Sequence, residues 1–474
     1  MRRATKRFLL KLVIVVVVLG AALGFMTWYY LFREVPTVYA AADDNFKYGS
    51  LGNEQTDGIP YWVWLVLPRM FPEKLPGLGG YASLGLVWEE GKELPVGFSK
   101  KTIGFDRVAI NCAFCHTATY RATPTDKPVI VAGGPSHQFD PQSYVRFLYA
   151  CASDPRFNAD NIMREIDLVY KLSPVEKMLY RYVLIPQTQK ALLKQKAQYA
   201  WMDSRPNWGH GRIDPFNPIK FGILKQPVDN TIGNSDMVPI WNQKTRQGMS
   251  LHWDGLNTSE DEVFLSSSIG DGATKKYIER ENLQRMEDWA MNLQPPKYPF
   301  TINQELAARG GEIYARQCAS CHAAGGESTG KVIPVETTGT DPHRVEMWTE
   351  GAAAAYNNYQ EDYKWGFKGF RKTNGYVAVP LDGVWLRAPF LHNGSVPTLV
   401  DLLTAPDQRP KLFWRGYDVY DQEKVGFISS GEDAARLGSK YDTSAPGNSN
   451  AGHLWGTELS PEEKKALIEF LKTL

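Results

Sequence analysis

The chain has 474 residues, with 53 lysines and arginines against 52 aspartates and glutamates, so its formal net charge at pH 7 is +1. No basic stripe accompanies this balance, which excludes the strongly basic class of nucleic-acid-binding proteins. The length is enough for two domains. Fourteen tryptophans and thirty prolines favour long, well-packed loops around a large apolar group.

Residues 1–35 predict a membrane anchor. Residues 12–32 carry no charge, and a helix of this length crosses a bilayer core of about 30 Å. Trp28, Tyr29 and Tyr30 lie where an interfacial aromatic belt is expected. The alternative is a cleaved signal peptide with a small-residue site at Ala40-Ala41-Ala42. Five basic residues precede the apolar stretch and place that end in the cytoplasm: Arg2, Arg3, Lys6, Arg7 and Lys11.

Two pentapeptides have the pattern Cys-x-x-Cys-His. They are Cys112-Ala113-Phe114-Cys115-His116 and Cys318-Ala319-Ser320-Cys321-His322. This spacing is typical of covalent haem attachment, because each cysteine can add across a haem vinyl group and the adjacent histidine then supplies an axial nitrogen to iron. Zinc is the alternative, although the cysteine pairs of zinc sites normally lie much closer together. The sequence therefore predicts two covalently bound haem c groups, with His116 and His322 as iron ligands.

The fifth cysteine, Cys151, lies in an apolar run of helical character. No intrachain disulfide can form without using a motif cysteine, so we expect Cys151 to be a small buried hydrophobic residue. Bacteria attach c-type haem outside the cytoplasm. The motifs therefore predict a single-pass protein of the bacterial inner membrane with its body in the periplasm.

Helix signals divide the chain near residue 300. Periodicity predicts a helix over residues 279–293, which Pro295 and Pro296 end. Asn303 can cap a second helix that runs to about residue 316, just before the second motif. At the far end, Ser460-Pro461-Glu462-Glu463 is a capping box that begins a terminal helix.

A helix before the haem motif and a terminal helix after it is the arrangement of a cytochrome c domain. Gly310 and Gly311 would let these two helices cross closely. We therefore predict a mainly α protein with long loops and three parts. They are a transmembrane anchor (1–35), an N-terminal haem domain (43–300) and a C-terminal cytochrome c domain (301–474).

Several further segments resemble one family. With residues 111–116 they are Gly80-Tyr81-Ala82-Ser83-Leu84-Gly85, Gly211-Arg212-Ile213-Asp214-Pro215-Phe216-Asn217, Leu251-His252-Trp253-Asp254-Gly255, the run from Trp385 to Ser395, and the run from Gly447 to His453. This ordered set resembles the bacterial di-haem cytochrome c peroxidase superfamily, which includes the methylamine-utilisation di-haem enzyme. Within it, the chain is most similar to the branch that contains the latex-cleaving rubber oxygenases. The resemblance runs from about Tyr48 to the C-terminus.

The resemblance implies a division of labour, in which the N-terminal haem is reactive and the C-terminal haem relays electrons. Trp253 matches the tryptophan that lies between the two haems of the superfamily, where an indole shortens the electron path; core packing is the alternative. The peroxidases carry a catalytic glutamate in the region that corresponds to residues 266–273, which contains no glutamate here. Asp271 is the candidate that remains for this acid–base role.

The sixth ligand of each iron decides between electron transfer and catalysis. For the C-terminal haem, His453 is the first candidate and His392, which matches a haem-pocket histidine of the peroxidases, is the second. For either one, a histidine at the haem edge or in a hydrogen bond is the alternative; Met347 and His343 remain. For the N-terminal haem, His137 is a candidate for a displaceable ligand, with a turn cap or a propionate contact as alternatives.

Two more polar residues have open roles. Arg212 could pair with a haem propionate, because a guanidinium binds carboxylates with two parallel hydrogen bonds, or could form a structural salt bridge. The role of His210 is undetermined.

The sequence thus predicts a membrane-anchored periplasmic di-haem oxidoreductase that is peroxidase-like or oxygenase-like. A pure electron-transfer cytochrome with two six-coordinate haems is the alternative, and a haem-stabilised binding module is a third class with little support. Expected partners are a redox protein (a cytochrome or cupredoxin), the inner membrane, and a small oxidant such as peroxide or oxygen. A calcium ion between the domains is left open.

Overall fold

A computed structural model describes residues 2–359 and 366–474 of the chain, with side chains from residue 5 onwards. Its α-helices, in chain order, are α1 (Arg2–Thr27), α2 (Ala42–Tyr48), α3 (Tyr61–Met70), α4 (Pro141–Ala152), α5 (Ala159–Val169), α6 (Pro174–Leu179), α7 (Ile185–Gln198), α8 (Glu260–Gly270), α9 (Arg280–Asn292), α10 (Gln304–Gln317), α11 (Ala319–His322), α12 (Val335–Thr338), α13 (His343–Met347), α14 (Glu350–Asn358), α15 (Leu399–Leu402), α16 (Glu432–Leu437) and α17 (Pro461–Leu471).

The strands are short and antiparallel within their sheets. They are β1 (Glu34–Val35), β2 (Ile59–Pro60), β3 (Phe98–Ile103), β4 (Phe105–Ile110), β5 (Thr117–Tyr120), β6 (Val129–Ala132), β7 (Arg212–Ile213), β8 (Ser235–Asp236), β9 (Val332–Pro334), β10 (Gly375–Val377), β11 (Leu412–Arg415), β12 (Tyr420–Asp421), β13 (Gly426–Phe427) and β14 (Ser439–Asp442). The largest sheet has the order β1-β3-β4-β2, and the described residues also form five two-stranded sheets.

Helices make up 45% of the structure, which confirms the prediction of an α-rich protein. The sheets were not predicted, because strands of two to six residues have too little alternation to stand out in a sequence. The arrangement of two haem domains stays a prediction.

The N-terminal apolar helix is confirmed. Residues 5–32 form a helix long and apolar enough to cross a membrane, and no part of its most apolar window is buried in the protein. Its last turn, Trp28–Phe32, is a π-helix, and the chain then enters the body as β1, whose Glu34 pairs with Ile103 of β3. Insertion into a membrane stays a prediction.

The capped helices also agree with the sequence. The Asn303 side chain accepts a hydrogen bond from the Leu306 amide at the start of α10. Ser460 and Glu463 form both hydrogen bonds of the predicted capping box at the start of α17. Cys151 is fully buried in α4, as expected.

Three large hydrophobic clusters, with two small ones beside them, form the core of the described residues. The first surrounds Trp64, Phe98 and Tyr144 and lies within the N-terminal half. The second joins Phe46 and Met286 to Trp348 and Tyr356, and the third joins Trp241 to residues of the C-terminal half such as Trp385 and Leu467. Two of the three large clusters therefore contain residues from both sides of residue 300, so the core is continuous there. The division of the chain into two domains near residue 300 stays a prediction.

Candidate haem sites

The first motif forms a corner between two strands. β4 ends at Ile110, and Asn111 then donates to the Gly49 carbonyl (3.0 Å) and accepts from the Ala113 amide (3.0 Å). These bonds cap the short 3₁₀ turn Cys112–Phe114, after which β5 begins at Thr117. The sequence folds this way because an asparagine side chain competes well for the free amide at such a turn.

The second motif lies at the end of a helix instead. α10 ends at Gln317, the Cys318 amide donates to the Tyr314 carbonyl (2.9 Å), and α11 carries the rest of the motif. A Cβ atom on Gly310 would lie 2.0 Å from the Ala466 carbonyl oxygen, so α10 and α17 are in backbone contact. This confirms the predicted close crossing of the two helices.

The two motif histidines have matching hydrogen bonds. The Nδ1 atom of His116 lies 2.8 Å from the Val238 carbonyl oxygen, and that of His322 lies 2.7 Å from the Val379 carbonyl oxygen. A carbonyl accepts only from a protonated nitrogen, so each Nδ1 carries the proton and each Nε2 keeps its lone pair. Burial lowers the pKa of His116 to about 4 and also lowers that of His322, which keeps both rings neutral. Both therefore fit the donor that an axial haem ligand requires.

His453 faces His322. Their ring centroids are 6.3 Å apart. Two imidazoles that bind one metal ion from opposite sides have centroids about 6 Å apart, because each metal–nitrogen bond is about 2 Å and each nitrogen lies about 1 Å from its ring centroid. The separation fits one iron between the rings; ligation itself stays a prediction.

The backbone of the His453 loop is held firmly. His453 has a φ of +50°, which is rare for a side chain of this size, and its amide donates to the Thr338 carbonyl (2.8 Å). Arg409 donates to the carbonyls of Asn450 (2.6 Å), Gly452 (2.9 Å) and His453 (3.2 Å). A buried guanidinium thus fixes the loop that presents this imidazole.

The other candidates for the sixth position make contacts of their own, and their roles stay predictions. His392 stacks on Tyr376, with centroids 3.8 Å apart. Met347 is fully buried in the second core cluster, and His343 bonds through Nδ1 to Asp341 (2.8 Å). Among the described residues, neither His392 nor His343 makes a ring contact with His322.

His137 follows the first motif closely in the sequence, and its ring packs against Phe427. The loop is attached through Ser136, whose amide donates to the Cys115 carbonyl (3.1 Å). The His137 ring stacks on Phe427 (centroids 3.6 Å apart), and both of its nitrogens are buried without a hydrogen-bond partner. Burial lowers the pKa of His137 to about 3. Its role as a ligand stays a prediction.

Arg212 donates hydrogen bonds to acceptors within the protein. It donates to the carbonyls of Trp208 (2.6 Å) and Asn207 (3.0 Å) and to the Asn448 side chain (2.7 Å). The Asn448 bond ties β7 to the segment that carries His453. His210 bonds through Nδ1 to Ser439 (2.9 Å). These contacts agree with a structural role for Arg212. They do not test whether it also binds a haem propionate.

Trp253 is hydrogen-bonded to both segments that orient the motif histidines. Its indole Nε1 donates to the Asp236 carbonyl (2.7 Å), two residues before Val238. Its own carbonyl accepts from the Val377 amide (2.9 Å), two residues before Val379. The tryptophan therefore lies between the two acceptor segments; its place between two haems stays a prediction.

Asp271 lies beside the first motif. The Asn53 side chain donates both to the Asp271 carbonyl (2.8 Å) and to the Ile110 carbonyl (2.8 Å) at the end of β4. Burial, and after it the charge of Asp271, raises the pKa of the Cys112 and Cys115 thiols. Burial raises the pKa of Asp271 itself to about 7. The structure thus brings Asp271 close to the first motif; its acid–base role stays a prediction.

One cluster was missed by the sequence. Arg344 and Asp254 are fully buried and bond to each other (3.1 Å). Arg344 Nε and Nη1, Asp254 Oδ2 and His252 Nε2 are all buried without a partner. A guanidinium with two free donors fits a carboxylate such as a haem propionate. No local signal could have found the pair, because its members lie 90 residues apart.

Among the residues that the structure describes, no group of three or more His, Cys, Asp or Glu side chains is arranged to hold a metal ion. Calcium prefers oxygen ligands that include backbone carbonyls, so the calcium prediction is not tested by this finding.

Comparison with known proteins supports the cytochrome assignment. A family model described as RoxA-like, cytochrome c-like matches residues 375–415. This range contains β10, His392 and Val379, whose carbonyl orients His322. The match confirms the predicted link to c-type cytochromes and a haem c role, without giving the number of haems.

A relative over most of the chain is also found. The uncharacterized protein y4iJ of Sinorhizobium fredii (strain NBRC 101917 / NGR234) is 30% identical over an alignment that covers 77% of each chain. The chain belongs to the y4iJ family. The uncharacterized protein y4iM of the same strain is 28% identical over 56% of this chain and 67% of its own length. The names of these two relatives give no activity.

Proposed function

We propose that the protein is a membrane-anchored periplasmic di-haem c-type cytochrome with oxidoreductase activity. Its N-terminal haem reacts with a small oxidant, peroxide or oxygen, and its C-terminal haem relays electrons. One observation carries the proposal: His322 has the His453 ring 6.3 Å from its own, whereas among the described residues no histidine ring contacts His116. An iron with two strong ligands suits electron transfer, and an open face suits the binding of oxygen or peroxide.

Haem c, when bound, supplies the redox chemistry, and the chain supplies its surroundings. His116 and His322 each present a neutral Nε2 because a backbone carbonyl holds the proton on Nδ1. Asp271, beside the first motif and with a pKa raised to about 7 by burial, can hold or release a proton near neutral pH. Trp253 lies on the route between the sites.

The exported location rests on the apolar helix of residues 5–32 and on the haem attachment motifs. A redox protein of the cytochrome or cupredoxin class would exchange electrons with the second site, whose cysteines are both half-buried. At the first site Cys112 is buried and Cys115 is half-buried.

Carbon monoxide titration of the reduced protein, followed spectroscopically, tests the proposal. We expect one carbon monoxide per two haems, because only the N-terminal iron has an open face. The Cys112→Ala, Cys115→Ala double variant is the control and should bind none. Binding at both haems in the unaltered protein would show that His453 is not a ligand.

The alternative is a pure electron-transfer cytochrome with two closed irons. The observation in its favour is His137, whose ring nitrogens lack partners on a loop attached to Cys115. No carbon monoxide binding at either haem would establish this alternative. Because the peroxidase glutamate is absent, we expect slow peroxide turnover, which Asp271→Asn should slow further.

A further inference from the structure

Six large apolar side chains are exposed within a short stretch of the body of the protein, outside the anchor. They belong to the end of α5, to α6 and to the π-helical turn Tyr180–Leu184 that follows. They are Leu168 (66% exposed), Val169 (40%), Tyr170 (40%), Met178 (64%), Tyr182 (69%) and Val183 (43%). Single exposed apolar residues are ordinary, but a cluster of six large ones marks a contact surface. We call it the 168–183 surface.

The two parts of this surface are held together locally. Lys177 Nζ on α6 lies 3.1 Å from Asp167 Oδ1 at the end of α5. The Ser173 capping box fixes the turn between the two helices. The segments that carry the exposed apolar side chains therefore lie beside each other.

Strand register locates this face relative to the anchor. The hairpin of β3 and β4 turns at Gly104, whose amide donates to the Arg33 carbonyl (2.8 Å) just after the apolar helix. A Cβ on Gly104 would lie 2.3 Å from the Tyr30 carbonyl oxygen, so the end of the anchor contacts this turn directly.

The other edge of the same sheet leads to the apolar face. Pro60 of β2 pairs with Arg107 of β4, and β2 runs towards the same end of the sheet as the Gly104 turn. α3 begins at the next residue, Tyr61. Trp62 thus lies at that end, and Tyr170 stacks on it with ring centroids 4.1 Å apart. Four strands at a spacing of about 4.8 Å put β1 and β2 about 14 Å apart.

We propose that the 168–183 surface rests on the periplasmic leaflet of the membrane that the N-terminal helix spans, as a second contact that does not cross it. The inference rests on the proposed membrane anchorage. Exposed tyrosines suit the membrane interface, because their rings lie at the level of the headgroups. The occupant is a lipid surface because this face continues the sheet end from which the anchor leaves.

Fluorescence quenching on the full chain in liposomes tests the proposal. Tyr182→Cys would carry an environment-sensitive dye; the motif cysteines are thioether-linked in the haem-loaded protein and Cys151 is buried, so the new thiol is the reactive one. Emission is compared between plain vesicles and vesicles that contain lipids with nitroxides on the headgroup and in the acyl chain, so that quenching by haem cancels. Leu19→Cys reports the anchor, and Leu437→Cys (43% exposed, on α16) is the control on the body.

The expected result is loss of emission at positions 19 and 182 and none at 437. Quenching at 19 with none at 182 overturns the proposal and leaves the anchor intact. No quenching at 19 overturns the anchorage itself. Met178→Cys is a second labelling position on the same surface, and its dye should be quenched in the same way. Unchanged haem absorption in each variant shows that the protein is folded.

Discussion

The two Cys-x-x-Cys-His segments reach the same local geometry from different scaffolds. The first follows a β-strand and is capped by Asn111, whereas the second ends α10 and depends on the crossing of α10 with α17. Both histidines nonetheless bond through Nδ1 to a backbone carbonyl at nearly equal distance. Both motif histidines therefore have the same orientation relative to a backbone carbonyl, and the surrounding fold determines what lies opposite each ring.

That opposite face is where the two sites differ. His453 is held across from His322 by Arg409 and by a bond to Thr338, while His137 near the first motif stacks on Phe427. Two motifs of the same pattern thus lie in different surroundings, and this difference is the basis of the proposal that their haems react differently.

The largest effect should come from removing the attachment cysteines. Cys112→Ala with Cys115→Ala should leave one covalent haem, and Cys318→Ala with Cys321→Ala should also leave one, because each pair forms its own thioether bonds. Mass spectrometry and haem staining of denatured protein measure the haem content. Two thioether-linked haems in either double variant would contradict the equivalence of the motifs.

Removal of His453 should change one haem of the two. His453→Ala should convert the C-terminal iron from low-spin to high-spin, because an axial nitrogen is lost. His137→Ala is the matched control and should leave the spin states unchanged. Electronic absorption and electron paramagnetic resonance give the readout; an unaltered low-spin signal in His453→Ala would transfer the assignment to His392 or Met347.

A smaller effect should appear at the helix crossing that supports only the second site. Gly310→Ala forces a Cβ against the Ala466 carbonyl and should lower the free energy of unfolding by about 1–3 kcal/mol. Gly311→Ala meets only the Phe470 ring at 3.3 Å, and its better helix propensity, about 1 kcal/mol, should offset the crowding. Denaturant unfolding compares the two variants, and equal losses of stability would contradict the crossing geometry.

The smallest effect should follow from Trp253→Phe. Carbon monoxide binding should persist, because the residue is not a ligand, while electron transfer between the two sites should slow because the indole and its bond to Asp236 are lost. Flash photolysis of the carbon monoxide adduct measures the transfer rate. An unchanged rate would leave Trp253 a packing residue.

Local chemistry explains what the sequence could predict. The caps at Asn303 and Ser460, the close approach at Gly310 and the burial of Cys151 were all predicted correctly. The two caps depend on residues within one helical turn of each other. The close approach at Gly310 and the burial of Cys151 follow from the small size of glycine and the apolar character of cysteine. The short strands and the core clusters that cross residue 300 were not predicted, because pairing between distant segments leaves little trace in either one.

The sequence by itself determined the two attachment motifs and the apolar N-terminal helix, since spacing of three residues or an uninterrupted run of apolar residues is enough for each. Only the tertiary structure decided the surroundings of the motifs. The carbonyls that orient His116 and His322 lie 122 and 57 residues away and carry no side-chain signature. The same holds for the His453 ring opposite His322 and for the buried Arg344–Asp254 pair, because such contacts exist only once distant segments pack together.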